Sequence, residues 1–82
     1  MAVEADTTEG GGRKAVNITW DKDALNGDTV DLRSESGDDV STRPGIPNDG
    51  AAVVTYPEGY HGTSHITITD ADGNVEEGDI TV

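Results

Sequence analysis

The residues with the widest chemical repertoire in this 82-residue chain are two histidines, His61 and His65, and several clusters of acids. Four positions apart, the histidines would share one face of a helix and suit zinc. Gly62 lies between them, and the alternation that turns Ile66 and Ile68 inward places His65 on the solvent face of a strand. Ser34, Ser36, Ser41 and Ser64 stand in no nucleophile-elbow context, and no base is spaced to activate any of them. Gly10-Gly11-Gly12 lacks the Lys-Ser/Thr and the helix that complete a phosphate loop. Asp70-Ala71-Asp72-Gly73-Asn74, with Glu76 and Glu77, gathers the hard oxygens that calcium prefers. Its glycine comes too early for an EF-hand and strands flank it. A hairpin turn with local Asp and Asn acceptors is therefore the favoured reading. Asp21, Asp23 and Asp28 are read the same way. Asn17-Ile18-Thr19 matches a glycosylation sequon but lies within a strand, and is read as chance. The sequence thus predicts no enzyme, no cofactor and no metal site.

Something must position these groups, and the chain is long enough for one domain only. Seventeen acids against five Lys and Arg leave a net charge of −12. The first 43 residues hold ten acids and all five bases; the segment from Gly45 to Val82 holds seven acids and no base. Such a surface repels a phosphate backbone and an anionic bilayer, so neither nucleic acid nor membrane is an expected partner. A source rich in salt would screen the same self-repulsion. There is no cysteine, which excludes a disulfide staple. No 18-residue apolar stretch occurs, and the start Met1-Ala2-Val3-Glu4-Ala5-Asp6 has neither the basic nor the apolar part of a signal peptide. The chain is expected to be a cytosolic product that reaches the outside, if at all, within an assembled particle.

Short alternating runs separated by Gly, Pro, Asp and Asn predict an all-β, antiparallel sandwich of six or seven strands. Val16, Ile18 and Trp20 alternate with polar neighbours, as do Val30 and Leu32, Ile66 and Ile68, and Ile80 and Val82; all nine are predicted core. Leu25 is predicted to plug one end. Trp20, Tyr56 and Tyr60, the three aromatics of the chain, are read as core rather than as a sugar platform. Pro44 and Pro47 restrict Val40 to Asn48 to an edge strand and irregular connection. Ala51 to Tyr56 is apolar on both faces, so its register is not legible. Residues 1–13 are read as a flexible N-terminal arm ending in a glycine hinge, and 14–82 as the folded domain.

Val16-Asn17-Ile18-Thr19-Trp20, the stretch from Tyr56 to Ile68, Asp70-Ala71-Asp72-Gly73-Asn74 and the closing Ile80-Thr81-Val82 resemble an immunoglobulin-like module. The resemblance covers about residues 14 to 82 and is nearest to bacterial and viral varieties, including those on tailed-virus heads and tails. It departs from the family in having no Cys pair and in carrying Trp20 on the first long strand. The resemblance implies a viral structural protein, a capsid decoration protein on the exterior of a tailed-virus head. Its expected partners are the major capsid protein or other virion subunits, with self-association on the particle. A small tail component, or a binding module for a glycan or host surface, is the alternative. Val3 and Ala5, in a segment Met1 to Thr8 that adds a strand to a neighbouring chain, and the basic pair Arg13 and Lys14, where the folded body begins, are the expected partner-binding residues.

Overall fold

A strand that is apolar on every second residue needs a second layer to cover that side, and the alternating runs of this chain supply two such layers to each other. The computed structural model describes residues 3–82. In chain order the strands are β1 (Val3–Gly10), β2 (Arg13–Trp20), β3 (Thr29–Ser36), β4 (Asp39–Pro47), β5 (Ala51–Pro57), β6 (Thr63–Thr69) and β7 (Val75–Thr81). One 3₁₀ turn, Lys22–Ala24, interrupts the β2–β3 connection. The strands form a three-stranded sheet, β1-β2-β5, and a four-stranded sheet, β4-β3-β6-β7, antiparallel throughout. In a constant-type immunoglobulin domain the fourth strand joins the sheet of the first, second and fifth. Here β4 pairs with β3 instead.

All nine predicted core residues are buried, and Leu25 closes one end of the core as expected. Pairing decides the register that Ala51 to Tyr56 left open: Val16 faces Val54 across the β2–β5 ladder. Val54 is therefore buried, while Val53 points outward and stays 45% exposed. Pro44 and Pro47 lie on edge strand β4, where a missing ladder donor is tolerated. A register shift between Val30 and Leu32 leaves Asp31 free to accept the Gly45 backbone N–H at 2.9 Å.

The N-terminal segment corrects the expectation of a flexible arm. Val3 to Gly10 is a strand of the sandwich, paired with β2 without interruption from Val3↔Trp20 to Gly10↔Arg13. The supposed hinge is the turn of that hairpin. Gly11 and Gly12 have φ of 63° and 82°, the pair of positive values that a two-residue type I′ turn requires. Sequence alternation missed β1 because seven of its eight residues are exposed; backbone hydrogen bonds and the single buried Val3 hold it. Met1 and Ala2, the first residues of the expected arm, lie outside the described residues.

Candidate functional site

The four expected partner-binding residues do not form one surface. Val3 is 1% exposed, inside the core cluster. Lys14 is 4% exposed and points inward. Its Nζ donates to the Tyr60 carbonyl at 2.8 Å and lies 3.3 Å from His61 Nδ1. A charge held this way satisfies the end of the sandwich and cannot reach a partner. Ala5 sits opposite Ile18 and so shares the core-side face, whereas Arg13 lies on the outer face. Paired with β2 along its whole length, the segment is an edge strand of this sandwich and not a free arm to lay on a neighbouring chain.

The acids make a different pattern in three dimensions. Neither β2 nor β5 contains an Asp or Glu. On the outer face of their sheet, Ala15, Asn17 and Thr19 lie beside Thr55, Val53 and Ala51 in register. All are short or apolar. Glu4 and Asp6 border this face on β1, and Arg13 stands at one end. The opposite sheet is charged on its outer face. His65 lies between Glu35 and Asp79 in one cross-strand row. Its Nδ1 is 2.7 Å from Asp79 Oδ1, and Nε2 is 3.8 Å from Glu77 Oε2. The hydrogen bond to Asp79 and the nearby carboxylates raise its pKa above 6.5. His61 takes no part in this row, so the two histidines are not brought together as a pair of ligands.

The acidic hairpin turn is built by backbone donors. Asp70 Oδ2 accepts the Asn26 N–H at 2.7 Å and Asn74 Nδ2 at 2.9 Å; Oδ1 accepts the N–H groups of Asp72 and Asn74, each at 2.9 Å. The Asn26 N–H, and after it the Asn74 and Asp72 donors, hold the carboxyl down to about 2. These contacts use the carboxylate to tie the β6–β7 turn to the β2–β3 loop. Asp21 likewise caps the 3₁₀ turn, accepting the Asp23 N–H at 3.0 Å. Among the described residues no group of three His, Asp or Glu side chains is arranged to hold a metal ion.

A feature missed in the sequence is a cleft on the side of the sandwich where β4 and β5 are the facing edges. The inward positions of β3 run Val30, Leu32, Ser34, Ser36, all buried, so its inner face changes from apolar to hydroxyl along the strand. On β6 the fully buried Ser64 precedes Ile66. Ser34 Oγ lies 3.1 Å from Tyr56 Oη, which is 3.0 Å from Ser64 Oγ; Ser64 in turn bonds Ser36. Beside this chain is a cavity of about 270 Å³ reaching Asp39, Ser41 and Arg43 of β4 and the rings of Tyr56 and Tyr60. The two rings stack with centroids 5.4 Å apart. Arg43 Nη1 donates to the Val53 carbonyl at 2.7 Å, bridging the two sheets at the cleft's edge. The legible signal was the phase of alternation: continuing Val30 and Leu32 by two and four residues puts Ser34 and Ser36 inside.

Trp20, buried as predicted, donates its indole N–H to Asn48 Oδ1 at 3.0 Å. Asn48 Nδ2 reaches the carbonyls of Lys22 and Gly27, each at 3.3 Å. The two tyrosines are half-buried against the core. No protein-family model matches this chain, and the comparisons with curated proteins and with solved structures gave no match.

Proposed function

We propose that this chain is a non-enzymatic structural module that attaches to a larger protein assembly through the outer face of the β1-β2-β5 sheet. A decoration protein on the exterior of a tailed-virus head is the role that fits this reading. The observation that carries it is the segregation of charge. In a chain of net charge −12, the outward positions of β2 and β5 hold no acid, and Val53 is 45% exposed among them. Along β2 and β5 a face of short side chains packs against another protein surface without desolvating a carboxylate, with Glu4 and Asp6 of β1 left at its border. The partner that fits is a shell subunit offering small apolar and polar side chains, with a carboxylate opposite Arg13. The acidic remainder of the molecule keeps the particle exterior soluble and repels wrong docking modes.

Two measurements test this. Mass spectrometry of purified tailed-virus particles from the source should find the chain in the head fraction; its absence from every particle fraction would end the virion reading. Val53→Asp places a charge at an exposed position, where the cost to the free domain is within about 0.5 kcal/mol. The variant should melt like the parent and fail to bind particles. Undiminished binding by a folded Val53→Asp chain would remove this face from the contact.

A further inference from the structure

The geometry points to a binding site for a small polyhydroxylated ligand, one sugar residue or a polyol of that size, in the cleft between the β4 and β5 edges. It is separate from the outer face of the β1-β2-β5 sheet, so it stands or falls independently of the attachment reading.

Register brings three inward rows to this cleft. Asp39 of β4 faces Ser36 of β3, which is followed across the sheet by Ser64. Ser41 faces Ser34, and Arg43 faces Leu32. Edge strand β4 therefore presents a carboxylate, a hydroxyl and a guanidinium at alternate positions, about 7 Å apart along the strand. Behind them stands the hydroxyl chain of Ser34, Tyr56, Ser64 and Ser36. Four hydroxyls supply four O–H donors, and three hydrogen bonds within the chain engage three of them. One proton and several lone pairs remain to be matched from outside the chain. Val54, Pro57 and Tyr60 give the cavity an apolar wall.

This combination selects a ligand class. An apolar guest would leave the hydroxyls without partners. An anion would approach Asp39 and an acidic surface. A polyol offers both donors and acceptors to the hydroxyl chain and to Asp39, and its C–H groups suit the apolar wall. The cavity, about 270 Å³ and open on one side, is the size for a single ring rather than an extended chain. The hydrogen bonds of Ser34, Ser36 and Ser64 run to one another and to Tyr56, and the proposal is one of binding.

Backbone-amide NMR of the full chain, titrated to tens of millimolar with glucose, galactose, mannose, N-acetylglucosamine and glycerol in turn, tests the proposal. At least one probe should give saturable shifts concentrated at Ser34, Ser36, Ser41 and Tyr56. Ser41→Phe, at an exposed position over the cleft mouth, should abolish those shifts. Asp39→Asn, also exposed, should weaken the same probe by about tenfold. An unchanged amide spectrum away from the substituted residue checks the fold of each variant, and Asp39→Asn decides the matter if Ser41→Phe does not fold. No saturable shift with any probe would overturn the inference and leave a water-filled cleft. Shifts spread over the whole surface, or undiminished in both variants, would overturn it equally.

Discussion

Val3→Ala is the substitution that separates a strand from an arm. Val3 is 1% exposed, opposite Trp20 in the β1–β2 ladder and part of the same core cluster as Ile18 and Ile80. Removing two buried methyl groups forfeits about 1.6 kcal/mol of transfer free energy. The void left under an edge strand adds to this, for a total of about 2–3 kcal/mol. A domain of this length has about 4–12 kcal/mol in all, so the melting midpoint should fall by roughly 10–20 °C. Ala5→Ser, at an exposed position two residues along, is the control and should be within about 0.5 kcal/mol of the parent. Thermal and urea melts of the isolated protein, followed by far-ultraviolet circular dichroism, read both. A Val3→Ala chain that melts with the parent would refute the reasoning and return the segment to a disordered arm. Deleting residues 1–10 extends the test. It removes the whole β1–β2 ladder and the contact of Glu9 with the Gly59 N–H, so it should abolish the cooperative transition.

Trp20→Ala should cost about 3–5 kcal/mol, because a buried ring is lost and the Asn48 side chain loses its indole donor; a near-neutral melt would place the ring at the surface. Asp70 has a folded pKa lowered from 3.8 to about 2. Its contribution is therefore present above about pH 4 and is lost as pH falls towards 2. Asp70→Asn should flatten the stability curve in that acid window; an unchanged curve would show that the turn does not depend on the carboxylate. His65 has a raised pKa, so its contribution is fully present below 6.5 and is lost as pH rises through the folded value. His65→Gln should remove that small decline above 6.5, and a decline persisting in the variant would assign it to another group. The melting midpoint should rise with sodium chloride, since seventeen acids face five Lys and Arg; a flat or falling midpoint would mean that local partners already balance the acids.

The tertiary structure changed the meaning of residues whose types were plain. Gly10-Gly11-Gly12 is equally good as a hinge and as a hairpin turn, and the choice depends on whether the segment before it finds a ladder. That ladder is made of backbone groups, which leave no trace in side-chain pattern, so β1 was not legible. Lys14 read as a surface cation because it adjoins Arg13. Strand alternation sends the two to opposite faces, and the Tyr60 carbonyl receives the inward one. Ser34, Ser36 and Ser64 stand in no nucleophile context in the sequence, yet their shared inward phase builds the cleft. That cleft needs Tyr56 as well, brought from a strand of the other sheet.

By itself the sequence determined the all-β class, the antiparallel sandwich and most of the core, Val3 and Val54 excepted. Period-two alternation is a local property, and each of Val16, Ile18, Trp20, Val30, Leu32, Ile66, Ile68, Ile80 and Val82 carries its own signal. The acidic balance and the absence of cysteine were equally fixed by composition. Tertiary structure alone decided the partner of β1, the side of β4, the register of β5 and the juxtaposition of the two acid-free strands β2 and β5. Those depend on which strands become neighbours, and that is settled by the packing of the whole core rather than by any single stretch of chain.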